Sequence, residues 1–448
     1  MRRKLLRAAV VILLGVAVCL VWIAVRPGPL ERMAEFVTEL RARGTPVTLA
    51  EMDAPMPDPA DNGAADYERA LAWLDSRLGA TWGPDGEAWD QAFVGEWNLT
   101  IARPWHEHAT EPQTADLQHL LDDLQPFFSG LASAATKREI AWPPRNTSGV
   151  FLWDERDAYA TWRRARQLVE ARARAGRTAD DRLDALALLI ALDRRFRCRS
   201  GLEFAVFAQV RARGCVVLRD VMERGGIEPR EAHRRLDELL RGPGAESMST
   251  LLRAVVCEGI VAFPEFLDGT TQIGLTRQVR RLDALLSNRT PSVWERARNR
   301  VEDALVGARV DWRGYIAMLR ATDALARAET PWTDTSEDRL RTLEAEYGRV
   351  ASINLRFLRW AVAAESLARV ALALQVEQET SGAWPESLAD IQRYFPDGIP
   401  LDPYTGLPFV LEREGDVLVV RAQPPQDALL HPYATPREAA LVWRLTPR

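Results

Sequence analysis

Apolar residues recur at three- and four-residue spacings through most of the chain. That is the period of a helix with one buried face. Between residues 155 and 241 the repeats fall into four pieces, Arg156–Ala175, Ala179–Arg197, Leu202–Arg224 and Pro229–Arg241. Gly176, Ser200-Gly201 and Gly225-Gly226 separate them, as expected at helix C-termini. Pro229 sits in a first turn, where a missing N–H leaves no bond unmade. Breaks this short force the helices to pack as antiparallel neighbours. Upstream, Asp61-Asn62-Gly63 offers an N-cap, and Tyr67, Leu71, Leu74 and Leu78 form one stripe over residues 64–78. Further helix is predicted over 114–138, over 244–287 with a break at Pro264, and over 292–328.

The longest pattern begins at Val350. Val350, Ile353, Phe357, Trp360, Ala364, Leu367, Ala371 and Leu374 make one seam, and Leu355, Leu358, Val362, Leu372 and Val376 make a second. Two seams on one helix predict cover on two sides. Glu365 and Arg369 interrupt the second seam one turn apart, close enough to pair. They read as a structural ion pair that fixes helix register; the competing reading is a carboxylate of raised pKa in a cleft. Ser381-Gly382 ends the helix, and a short one starts at Trp384-Pro385-Glu386-Ser387-Leu388. Asp402-Pro403-Tyr404-Thr405-Gly406 is a turn by composition. Phe409–Leu411 and Val417–Val420 flank Glu414-Gly415-Asp416, which predicts a β-hairpin.

At the other end, Arg2, Arg3, Lys4 and Arg7 precede eighteen uncharged residues, Ala8 to Val25. About 17 to 25 apolar residues span a bilayer. The run ends Val21-Trp22-Ile23-Ala24-Val25 before Arg26-Pro27, without the small residues of a cleavage site. It therefore reads as an uncleaved signal anchor over residues 1–28. The preceding charges place the N-terminus in the cytoplasm and the bulk of the chain outside it. Leu30 to Arg43 is a short amphipathic helix ended by Gly44, and 45–61 is proline-rich. Residues 29–60 are expected to be a linker or stalk.

The C-terminal residues carry a resemblance. Helix, then G-x-W-P-x-S-L-x-D from Gly382, then P-x-D-P-Y-x-G-x-P-F from Pro400, then a hairpin, resembles the C-terminal unit of type II secretion major pseudopilins over residues 361–422. The same unit resembles the tails of large membrane-anchored bacterial proteins with a helical middle. The resemblance implies a shared α+β architecture. It implies neither fibre assembly nor calcium binding here. The N-terminus lacks a prepilin peptidase signal, and Gln423-Pro424-Pro425-Gln426 stands where an acidic calcium loop is expected.

Composition narrows function further. A net charge of −5 over 448 residues supplies no basic face to displace counterions, so nucleic acid is not an expected partner. The basic residues are nearly all arginine, interspersed with acids as on solvated helix faces. Cys19, Cys198, Cys215 and Cys257 show no metal-binding spacing, and the three outside the anchor are expected to be buried thiols. Trp105-His106-Glu107-His108 with Glu111 is the densest set of potential metal ligands. His106, His108 and Glu111 are weak candidates, because the spacing is not H-E-x-x-H and no distant partner is fixed. Eight of the 15 tryptophans lie between Trp73 and Trp162. They either pin irregular loops to the helical core or, at Trp89 and Trp97, contact cell-wall glycan. No nucleophile elbow, phosphate loop or dinucleotide fingerprint occurs.

The expectation is therefore a mainly α protein: a transmembrane helix over 1–28, an exported antiparallel helical domain over 61–349, and a long helix with a small α+β unit over 350–448. Its expected place is the bacterial inner membrane, held through residues 8–25, with other envelope proteins as partners and no cofactor. Its expected role is a non-enzymatic scaffold or interaction protein. The alternatives are a component related to type II secretion or pilus assembly, and an extracytoplasmic metal-dependent hydrolase or glycan-binding protein.

Overall fold

A computed structural model describes residues 29–52, 55–78, 118–119, 121–142, 156–197, 201–241, 249–257, 259–260, 312–327, 350–423 and 441–447. Its helices are α1 (Pro29–Ala42), α2 (Ala64–Leu78), α3 (Gln125–Thr136), α4 (Arg156–Ala175), α5 (Ala179–Arg195), α6 (Gly201–Glu223), α7 (Pro229–Leu240), α8 (Trp312–Ala326) and α9 (Val350–Ser381). Residues 249–257 are also helical. A 3-10 helix, Leu388–Tyr394, leads to strands β1 (Val410–Glu414), β2 (Val417–Arg421) and β3 (Val442–Leu445). The protein is mainly helical, with one small antiparallel sheet at its C-terminal end.

Local chemistry sets the helix ends. The four predicted helices between 155 and 241 appear with every end within two residues of expectation. Thr178 caps α5: its hydroxyl accepts from the Asp181 N–H at 3.0 Å, and Asp181 accepts in return from the Thr178 N–H at 3.2 Å. Asn62 does more than cap α2. Its Oδ1 accepts from the Ala64 N–H at 3.1 Å and from the Ala141 N–H at 3.0 Å, which ties the helix start to a segment 79 residues away. Gly63 allows α2 to meet α3, since a Cβ there would stand 2.5 Å from the Ala134 carbonyl oxygen.

Helix α9 is the central wall. Val370, Ala371, Leu372, Ala373 and Leu374 are all fully buried. Five consecutive residues, about 100° apart, point in every direction, so this helix is covered on all sides. α6 and α7 pack against it, and so do β2, β3 and the 3-10 helix. Full burial of each of Leu367, Leu372 and Leu374 stabilises by about 1.5–3 kcal/mol. One core cluster runs from Ala64 to Leu445. α9 is thus a wall shared by the helical domain and the sheet, with no break in the core at residue 350.

The sheet has the order β1-β2-β3, all antiparallel. The expected hairpin turns at Gly415, whose φ of +64° suits glycine. β3 brings the buried Trp443 and Leu445 beside Val420 and Leu418 of β2. At four residues it is too short to leave a readable period.

Residues 29–42 differ from the expected linker or stalk. α1 forms as predicted, but Met33, Phe36 and Leu40 are fully buried. They pack with Val256, Ile260, Tyr315, Ile316 and Leu319 in a second cluster. The amphipathic face finds a partner helix, α8, so the segment belongs to the folded body.

Candidate functional site

The interior of the bundle holds a belt of charge. Four carboxylates, Glu170 on α4, Asp193 on α5, Asp220 on α6 and Glu365 on α9, are buried. An unpaired charge is expensive in such a place, and each has arginine around it.

Glu365 accepts from Arg211 Nε of α6 at 2.8 Å and pairs with Arg194 Nη2 of α5 at 2.9 Å. Arg194 also donates to the Arg241 carbonyl at the end of α7. Arg369, one turn along α9, pairs with Asp237 of α7, Nε to Oδ1, at 2.7 Å. The expected Glu365–Arg369 pair is therefore replaced by three cross-helix pairs. Helical spacing made the neighbours available to each other, but tertiary packing supplied better-placed partners. The result ties α9 to α5, α6 and α7 at once.

A second strand of the belt runs through α4. Arg166 pairs with Glu170 one turn on, and reaches Asp193 through Nε at 3.4 Å and Nη2 at 3.3 Å. Arg166 Nη2 also donates to the Val210 carbonyl at 2.7 Å. Arg213 of α6 holds Glu170 at 3.0 Å. Arg174 lies 3.9 Å from Glu170 and bonds Asp220 at 3.1 Å. Arg219 meets Asp220 at 3.3 Å and donates to the Val442 carbonyl of β3 at 3.3 Å. The belt thus connects α4, α5, α6 and the sheet.

Two of the buried carboxylates, Glu365 and Asp193, have opposite electrostatics. Burial pushes Glu365 up, but the Arg211 and Arg194 guanidiniums together outweigh it and hold the carboxyl below its ordinary value. This is the reverse of the raised-pKa alternative. Burial also pushes Asp193 up, to about 6, and Arg166 offsets only part of that. The difference is geometric. Glu365 has two arginines below 3 Å, whereas Asp193 shares one arginine with Glu170 at longer range. Arg166 is itself lowered to about 10, first by burial and then by neighbouring arginines, against the pull of Asp193. Cys215, buried beside this set, is raised by burial and then by Glu365. Cys215 and Cys257 are buried thiols, as expected, and Cys257 Sγ donates to the Pro46 carbonyl at 3.5 Å; Cys198 lies outside the described residues.

The W-P and D-P-Y-x-G turn motifs also serve the fold. Asp402 is fully buried. Its Oδ1 accepts from the Tyr404 N–H at 2.9 Å and its Oδ2 from the Gln423 N–H at 2.6 Å. Arg359 of α9 donates to the Pro403 and Tyr404 carbonyls at 2.9 and 3.0 Å and lies 5.1 Å from the Tyr404 ring centroid. Trp384 Nε1 donates to the Asp416 carbonyl at 2.8 Å, and Arg413 donates to the Trp384 carbonyl at 2.8 Å. The W-P and D-P-Y-x-G elements therefore clamp the loops to α9 and to the hairpin. Gln423, where the calcium loop is expected to begin, is held by its backbone to Asp402.

Aromatic residues in reach pin loops to helices. Trp142 stacks on Phe196 at 5.8 Å and Phe196 on Phe207 at 5.1 Å, while Tyr67 meets Phe196 edge-on at 5.2 Å. A polar cleft of about 30 Å³ lies between Gln118, Asp122, Arg172, Arg177 and Asp181. That is room for about one water molecule.

His106, His108 and Glu111, the metal candidates, and Trp89 and Trp97, the glycan candidates, lie outside the described residues, as do residues 1–28. Among the described residues no group of three His, Cys, Asp or Glu is placed to hold a metal. No helix among them is long and apolar enough to cross a membrane. Sequence reasoning missed Arg166, Glu170 and Asp193. The Arg166-Glu170-Arg174 ladder at four-residue spacing was a visible signal; Asp193 gave none beyond its apolar neighbours. No family model matches this chain, and no curated protein or solved structure matches it either.

Proposed function

We propose that this protein is a single-span membrane protein, N-terminus inside, whose exported domain is a non-enzymatic scaffold or interaction module of the cell envelope. The anchor is the uncharged run 8–25 with its preceding positive charges. The observation that carries the scaffold reading is how the core carboxylates are used. Glu365, Glu170, Asp220 and Asp237 each pair with arginine from another element. Such pairs fix the packing of helices, and they keep the carboxylates from binding anything else. Crosslinking of the full chain in its own membrane, followed by identification of captured proteins, tests this. Recovery of the same envelope proteins from independent samples is expected. Capture of nothing reproducible overturns the scaffold reading. A C-terminal reporter active only outside the cytoplasm tests the topology, and a silent reporter overturns it.

A relation to secretion or pilus assembly is the second reading. It is favoured by α9 running through the Trp384 and Asp402 clamps into the sheet. Co-purification with secretion components tests it.

A further inference from the structure

The clearest unexplained feature is the burial of α1. It begins at Pro29, four residues after the uncharged run ends at Val25. Four Cα steps reach at most about 14 Å. Pro29 is itself buried, and so are Met33, Phe36, Val37 and Leu40. No slack separates the end of that run from the folded core.

The direction of the neighbouring helices follows from their contacts. Arg320 of α8 pairs with Glu39 at 2.9 Å and lies 5.5 Å from the Phe36 ring centroid. One turn later on α1, Arg43 pairs with Asp323 at 3.2 Å. α1 and α8 therefore run in the same direction, with both N-termini at one end. The helix over 249–257 runs the opposite way along α8. Ser249 Oγ donates to the Ala326 carbonyl at 2.7 Å, and Tyr315 Oη donates to the Gly259 carbonyl at 3.0 Å. This helix joins the two cores, giving Leu251, Leu252 and Val255 to the main cluster and Val256 to the second.

We propose that the end of the domain formed by the N-termini of α1 and α8 sits directly on the lipid headgroups of the outer face of the bilayer. The domain is seated on the membrane rather than held away on a stalk. The proposal rests on the anchor reading above. It commits to lipid headgroups because crossing the headgroup layer uses about 5–7 Å of that reach of about 14 Å, and the rest is shorter than the roughly 10–12 Å diameter of one helix of another protein.

Positions 313 and 324 on α8 test it. Both are exposed. Eleven residues make almost three turns, so they share a face and stand about 16 Å apart along the axis. Nitroxide labels are placed at Arg313→Cys or Ala324→Cys in the full chain, with Cys19 and Cys198 replaced by Ser. The protein is held in nanodiscs carrying a nickel-chelating headgroup lipid. Relaxation by nickel is expected at 313 and not at 324. A flexible Gly-Ser insertion between residues 28 and 29 is expected to abolish it at 313. Equal relaxation at both positions, in a chain that carbonate does not extract, overturns the seat and leaves the anchor standing. A chain that carbonate releases overturns both.

Discussion

Arg211 on α6 donates through Nε to Glu365 on α9 across 2.8 Å, between helices 154 residues apart in sequence. Arg194 meets the same carboxylate from a third helix. Removing the charge leaves two guanidiniums facing a buried amide. Glu365→Gln is therefore expected to lose about 3–5 kcal/mol, measured by denaturant unfolding of the full chain in detergent. The double replacement Arg211→Met with Glu365→Leu is expected to lose less, because it leaves one guanidinium, Arg194, without the carboxylate rather than two.

The pH dependence has two opposing parts. Asp193 has a folded pKa raised to about 6, so the native state takes its proton first. Its contribution to stability therefore rises as pH falls through about 6 towards the unfolded value near 3.9. Glu365 is depressed, so its contribution is present above its unfolded value and is lost as pH falls through its folded one. Thermal unfolding followed from pH 7 to 3 is expected to hold or rise down to about pH 5, then fall. In Asp193→Asn the gain between pH 7 and 5 is expected to disappear.

Asp402 holds the turn after α9 by bonds to the Tyr404 and Gln423 N–H groups. Asp402→Ala leaves the buried Tyr404 N–H without its Asp402 acceptor, at a cost of about 1–3 kcal/mol, and releases the N–H of the exposed Gln423. Limited proteolysis is expected to gain a cut between residues 403 and 408 while the helical bundle stays intact.

Two glycines separate close approach from backbone preference. Gly63→Ala drives a Cβ to 2.5 Å from the Ala134 carbonyl oxygen, so α2 and α3 must move apart, at about 1–3 kcal/mol. Gly225 has φ +72° and nothing within 4 Å of a Cβ. Gly225→Ala is expected to lose only the left-handed penalty, about 1 kcal/mol. Thermal unfolding of both variants checks the order.

Much of the fold was legible because helix ends are local. Thr178 with Asp181, Pro229, and Gly225 mark their helices without help from distant residues. The wide seam of α9 announced cover on two sides, and Glu414-Gly415-Asp416 announced the hairpin. The role of residues 29–42 was not legible, because an amphipathic helix beside an anchor looks the same whether its apolar face meets solvent, lipid or α8. β3 was hidden by its length. The charge belt was half legible: the ladder Arg166-Glu170-Arg174 is periodic, but its link to Asp193, Arg213 and Asp220 crosses helices.

The sequence by itself determined the helices, their stops and the turn chemistry, since each depends on residues a few places apart. Only the tertiary structure decided which charges meet. Glu365 and Arg369 are one turn apart, yet each pairs with a residue more than 130 positions away. Inside a core the geometry of facing helices, not distance along the chain, sets which guanidinium reaches which carboxylate. For the same reason α1 became part of the body, because α8 offered its apolar face a partner.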